Sequence, residues 1–211
     1  KEVRGQLAQG AQEIMLLGQT VNSYRYQSAD NSHSSEQNNI QDFADLIKSL
    51  GLIPELKRLR FMSPHPHYFN DKLIETMAQT PALCEHLHLP LQSGSDKMLK
   101  MMRRNYTSFE YKNIIHRLRK AMPDIALTTD IIVGFPGETE DDFKMSLDMI
   151  EELGFNLVYC FKFSPRQGTD AALLDEQLSE EIKESRHQRL LEVVENVGKN
   201  NARSTLGKKM E

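Results

Sequence analysis

Short apolar, β-branched runs alternate with helical stretches along the chain, and this alternation constrains the fold more than any other feature. The pattern predicts strands at 13–17, 58–62, 85–89, 126–133 and 157–163. It predicts helices near 3–9, 40–49, 71–79, 96–102, 109–121, 140–153 and 179–201. A strand roughly every 30–40 residues with a helix between implies parallel strands joined by helical crossovers. An open doubly wound sheet and a β/α barrel both satisfy that. The loops favour the barrel. Each strand empties into a polar, Gly- or Pro-bearing segment: Gly18-Gln-Thr-Val-Asn22, Ser63-Pro-His-Pro-His67, Pro90-Leu-Gln-Ser-Gly-Ser95, Gly134-Phe-Pro-Gly-Glu138 and Ser164-Pro-Arg-Gln-Gly-Thr169. Five strands feeding one face is the barrel arrangement, whereas an open sheet gathers its site at a switch point.

Alternation within strands sharpens this. Ile125, Leu127, Ile131 and Val133 share one face, suited to helices; Ala126, Thr128, Asp130 and Ile132 share the other, suited to a ligand-facing interior. Leu87 and Leu89 likewise face helices while His86 and His88 face inward. Tyr24–Asn39 reads as a polar, mobile loop. The stretch Thr129–Phe143 joins a strand to a Gly/Pro turn and an acidic helix start. Gly134 and Gly137 let backbone N–H groups approach a ligand, Pro136 stiffens the turn, and Thr139 is the expected N-cap with Asp141 and Asp142 behind it. Such a start is a poor phosphate seat and suits a positively charged, hydroxyl-bearing ligand.

Composition bounds the function. The chain has 211 residues, 39% hydrophobic and 27% charged, as in a soluble globular domain, and its net charge of −4 gives no whole-molecule attraction to nucleic acid or anionic membrane. RNA binding then needs a local basic patch. Cys84 and Cys160, two in all, form no metal or disulfide pattern, which fits the cytoplasm. No run reaches membrane-spanning length, so no membrane partner is expected, and a monomer is. The first residues, Lys1-Glu-Val-Arg, read as mid-helix rather than a translation start, so the chain is expected to be a piece of a longer protein.

Three clusters carry open readings. His65-Pro-His67 and His86-Leu-His88 have a spacing that can hold a metal, as in a barrel metallohydrolase; they equally serve as strand-end hydrogen-bonding groups, and no metal is assigned. Arg58, Arg60 and Glu13 lie on strands expected to be neighbours, with Arg60 sharing the inward face with Glu13 and Asp130, so mutual pairing is expected. Lys97, Lys100, Arg103, Arg104 and Lys112, interleaved with Tyr106 and Tyr111, form either an RNA-contacting patch or a solvated helix face.

Taken in order, Glu13-Ile-Met-Leu-Leu-Gly-Gln-Thr-Val-Asn-Ser-Tyr24, Arg60-Phe-Met-Ser-Pro-His-Pro66, Cys84-Glu-His-Leu-His-Leu-Pro-Leu-Gln-Ser-Gly-Ser-Asp96, Met102-Arg-Arg-Asn-Tyr-Thr107, Thr129–Glu138 and Phe163-Ser-Pro-Arg-Gln-Gly-Thr169 resemble the methylthiotransferases of the radical S-adenosylmethionine (SAM) superfamily. The likeness runs from about residue 10 to residue 172. It is strongest to the branch acting on isopentenyl-adenosine in tRNA, with the threonylcarbamoyl-adenosine branch as the near alternative. A barrel metallohydrolase using the His-x-His pairs and a non-enzymatic scaffold domain are the more distant alternatives.

The resemblance implies an α/β fold, a partial (β/α) barrel of the radical SAM type, missing its first strand here. It implies residues 1–178 as the barrel and 179–211 as a C-terminal helix and linker toward a tRNA-binding β-domain. S-adenosylmethionine and [4Fe–4S] clusters are implied as cofactors, with tRNA, a sulfur donor and an electron donor as partners. The superfamily's three-cysteine loop has no counterpart in this chain, so the piece alone is expected to be inactive. Carried over residue by residue, Gln19 and Asn22 match positions near the methionine end of the cofactor, and Gln92 and Ser93 the turn near its ribose. Asp130, Ile132 and Gly134 match the strand-end element bordering ribose and adenine. His65, Arg103 and Arg166 fall on the RNA side. The spacing departs at Glu138, which is not carried over.

Overall fold

The structure, a computed structural model, describes residues 1–27 and 40–207. These fall into two compact units, Lys1–His88 with His116–Ile125, and Leu89–Ile115 with Ala126–Glu211.

In the first unit, helix α1 (Glu2–Ala8) precedes β1 (Glu13–Leu16), which pairs in parallel with β4 (Arg58–Phe61). Between them come β2 (Arg25–Gln27), β3 (Ile40–Asp42) and α2 (Phe43–Gly51); α3 (Asp71–Gln79) and β5 (His86–His88) follow. The β2–β3 antiparallel pair was not anticipated: its strands are three residues each, too short for an alternation signal. Of the loop predicted at Tyr24–Asn39, residues 28–39 lie outside the described residues. Helix α2 starts at Phe43, not Ile40, because the Asp42 side chain accepts the Asp45 N–H and Asp45 returns the bond, a capping box that fixes the boundary. Leu59 and Leu87 are buried while His86 and His88 are half-buried, as their alternation predicts.

In the second unit, α4 (Asp96–Met101) and the first part of α5 (Ser108–Ala121, of which residues 116–121 belong to the first unit) are followed by β6 (Ala126–Val133), α6 (Glu140–Leu153), β7 (Leu157–Lys162) and α7 (Glu180–Thr205). Strands β6 and β7 are parallel, with Asp130 opposite Tyr159 and Ile132 opposite Phe161. Leu127, Thr129, Ile131 and Val133 are buried, and Ala126, Asp130 and Ile132 are half-buried, as the two-faced strand predicts, whereas Thr128, expected on the ligand-facing side, is buried. Helix α7 packs over β7 and α6, and its Asn201 amide donates to the carbonyls of Gly154 and Phe155, closing the end of α6.

Tyr106 and Tyr111 are core residues rather than members of a surface patch. The Tyr111 hydroxyl donates to the Leu89 carbonyl and the Tyr106 hydroxyl to that of Leu91. Burial pushes both phenols up, Tyr106 to about 12.

Candidate functional site

The second unit builds its strand-end site from a broken strand. The segment after β5 runs beside β6, with the Leu89 N–H donating to the Thr128 carbonyl. Pro90 has no N–H to give, and pairing lapses there. Thr129 fills the gap: its hydroxyl donates to the Leu89 carbonyl and accepts the Leu91 N–H, both at 2.8 Å. Gln92 then turns into the left-handed region (φ 71°) and rejoins β6, donating to the Asp130 carbonyl and accepting from the Ile132 N–H. A buried non-glycine residue held in that conformation is strained, and such strain concentrates at ligand sites. Its side-chain amide has no hydrogen-bond partner among the described residues.

Ser93 is committed to structure. It is fully buried, its hydroxyl accepts the Ser95 N–H, and it lies 3.4 Å from the Ser146 hydroxyl of α6. Gly94 presses on the same helix so closely that a Cβ would sit 2.3 Å from the Met145 carbonyl oxygen.

The Gly/Pro turn after β6 differs from its sequence reading. Gly134 and Gly137 do take positive φ (77° and 75°). Their N–H groups are already bonded, Gly134 to the Glu138 carboxylate at 2.8 Å and Gly137 to the Glu176 carbonyl at 2.9 Å. The acidic start of α6 is matched from within as well. Asp142 accepts from Ser95, Lys97 and Thr139, and these bonds overcome the cost of its burial to hold it at about 2. Glu138 is buried against Arg186, 2.6 Å away, and burial raises its carboxyl against the pull of that guanidinium. The turn is therefore a latch that fixes β6, α6 and α7, not a ligand seat read by backbone. The sequence could not show this because the partners lie 47 and 48 residues away.

What the latch frames is a cavity of about 600 Å³ beside the end of β6. Ile132 forms one wall, with the edge-on pair Phe135 and Phe163 (ring centroids 5.0 Å apart); Met101, Met102 and Arg104 form another. Arg103, also at positive φ (56°), stands at its rim in an exposed ion pair with Asp170. Asp130 shares the face of Ile132 two residues back and is half-buried. Gln92, Asp130 and Ile132 are thus brought together, and Ile132 and Arg103 share one cavity. Arg166 is exposed on the loop after β7 and does not line it. Phe135, Phe163 and Arg104 were not singled out as site residues; only the basic cluster drew attention to Arg104.

In the first unit the loops after β1 and β4 are clamped together. Buried Asn22 donates to the His65 carbonyl at 3.0 Å and accepts the His65 N–H at 2.8 Å. The His65 ring accepts the His67 N–H. Asn22 and His65 are thus adjacent, with both ends of the Asn22 amide engaged, while Gln19 is exposed. The expected pairing of Glu13 with Arg58 and Arg60 is present, at 2.5 and 2.9 Å, on an exposed face rather than in an interior. His86 is lowered by burial and by the nearby Arg60 charge. Among the described residues no three of His, Cys, Asp and Glu gather into a metal-holding group.

The radical SAM superfamily profile matches residues 1–150. The chain belongs to the radical SAM superfamily. It is 45% identical over 214 residues to tRNA-2-methylthio-N(6)-dimethylallyladenosine synthase 1 of Mycobacterium marinum, a match covering 100% of this chain and 40% of that protein. It is 44% identical over 210 residues to the tRNA-2-methylthio-N(6)-dimethylallyladenosine synthase of Corynebacterium jeikeium, again covering 100% of this chain and 40% of the relative. The chain thus spans about 40% of the length of these curated relatives. Among solved structures, coproporphyrinogen III oxidase (HemN) from Escherichia coli, a radical SAM enzyme, aligns with a TM-score of 0.52 at 12% identity, covering 94% of this chain and 56% of that one. At that identity the likeness concerns the fold, and it agrees with the radical SAM α/β class read from the strand-end strings.

The residues of this radical SAM chain fit one of the superfamily's cofactors and not the other. A cavity of this volume, with aromatic and aliphatic walls and Asp130 on the same strand face as its Ile132 wall, suits an adenosyl moiety. A cluster needs thiolates. The chain's two cysteines are separate half-buried groups, and burial pushes the Cys160 thiol up to about 11, away from a ligating thiolate.

Proposed function

We propose that this chain is the cofactor-binding core of a tRNA methylthiotransferase that places a methylthio group on C2 of isopentenyl-adenosine. The observation that supports it most is identity of 44–46% to synthases of that name along the whole of the chain. Bound S-adenosylmethionine, with a [4Fe–4S] cluster held by other parts of the whole protein, supplies the adenosyl radical and the methyl group.

This chain's own residues bind and orient. Ile132, Phe135 and Phe163 enclose the adenine, and the Asp130 carboxylate and Gln92 amide serve the ribose hydroxyls at the end of β6. Ser93 and Gly134 act by fixing that strand end. Asn22 holds the loop bearing His65, and Gln19 lies on the exposed part of the same loop toward the methionine end. Arg103, Arg166 and His65 serve the RNA. Residues 1–178 carry the barrel, and the chain past α7 leads toward a tRNA-binding domain. The whole protein works in the cytoplasm as a monomer with a sulfur donor and an electron donor.

Full-length protein, reconstituted with iron and sulfide, is mixed with tRNA carrying isopentenyl-adenosine, and the nucleosides are analysed by mass. The methylthio derivative of that nucleoside is the expected product. Modification of threonylcarbamoyl-adenosine instead, or no methylthio product from a protein with intact clusters, contradicts the reading.

A further inference from the structure

Arg104 differs from its neighbours. Lys97 is matched by Asp142, Arg103 by Asp170 and Lys112 by Glu152. Arg104 is half-buried, its Nε is shut off from solvent with no hydrogen-bond partner, and no carboxylate among the described residues pairs with it. It lines the 600 Å³ cavity together with Met101, Met102, Ile132, Phe135 and Phe163. Its charge lies near the Tyr106 phenol, whose proton is donated to main-chain carbonyls. An N–H removed from water without a partner is costly, and the half-buried charge that carries it, with no carboxylate beside it, suits an incoming anion.

We propose that Arg104 is the seat of a phosphodiester oxygen of the RNA beside the nucleoside being modified. The inference rests on the function proposed above and adds a phosphate-binding residue to it. Two observations favour a phosphate over the cofactor's carboxylate. Lys100 and Arg103 are exposed on the same turn, giving the positive rim that steers a polyanion. The Arg103–Asp170 pair is exposed on both sides and therefore weak enough to yield to a phosphate. The planar fork of Arg104 suits two phosphate oxygens at once.

The test uses the reconstituted full-length enzyme with Arg104→Met, Arg104→Gln and Arg104→Lys. Affinity for substrate tRNA is measured over a salt series, and affinity for S-adenosylmethionine separately. Arg104→Met and Arg104→Gln are expected to weaken tRNA binding about tenfold and to lower the salt slope by about one, with cofactor affinity unchanged. Arg104→Lys keeps the charge, so it retains the slope while binding more weakly. Weakened cofactor binding with unchanged tRNA binding assigns Arg104 to the carboxylate and overturns the proposal. No change in either affinity, or loss of the fold in all three variants, also overturns it in favour of a structural role. If the wild-type enzyme itself binds no tRNA, the function proposed above fails rather than this residue's part in it.

Discussion

Asp142 shows how a single residue can look like a ligand group in the sequence and act as a structural one. Its carboxylate gathers the Ser95 hydroxyl at 2.5 Å, the Thr139 N–H and hydroxyl, and Lys97, and is held at about 2 in the folded chain. A carboxyl whose folded value lies below its unfolded one stabilises the fold above the unfolded value, near pH 4, and stops doing so as pH falls through about 2. The contribution is about 2 kcal/mol. Denaturant unfolding between pH 5 and pH 2 is expected to show this loss, and Asp142→Asn to remove that part of the pH dependence. Ser95→Ala leaves the carboxylate short of one buried donor and is expected to cost about 1–3 kcal/mol at neutral pH, read as a shift in the urea midpoint. The placement of Asp130 and Ile132 on one face was legible in the sequence because alternation along eight residues of β6 is a local pattern. The engagement of Glu138 by Arg186 and of Asp142 by Ser95 and Lys97 was not, because those partners are brought close only by tertiary folding.

Between elements, the latch joining β6, α6 and α7 concentrates the strongest mutational expectations. Arg186 donates to both the carbonyl and the carboxylate of Glu138. Arg186→Met leaves that carboxylate buried without its cation and is expected to cost about 3–5 kcal/mol, measured as the unfolding free energy. Gly94→Ala drives a Cβ into the Met145 main chain and is expected to unfold the chain or lower its melting temperature sharply. Thr139→Ala removes only one cap of α6 and is expected to cost about 1 kcal/mol. The start of α6 was legible from its Thr139 cap. The β2–β3 pair was not, because three-residue strands are stabilised by their partner more than by their own sequence.

For the whole molecule, the radical SAM profile matches residues 1–150, while the chain's two cysteines, Cys84 and Cys160, stand apart. With a net charge of −4, the RNA attraction proposed above would have to come from local features such as the turn of Lys100, Arg103 and Arg104. The sequence revealed the fold class through its strand ends, but the cavity walls at Phe135 and Phe163 became visible only when two separate loops met in space. The most direct measurement is equilibrium binding of S-adenosylmethionine to the reconstituted full-length protein bearing Asp130→Ala or Ile132→Trp. Asp130→Ala is expected to weaken binding by about 1.5–3 kcal/mol through loss of a charge-assisted hydrogen bond, and Ile132→Trp to abolish it by filling the cavity. Wild-type affinity in both variants, with clusters and fold intact, would contradict the assignment of this strand end to the cofactor.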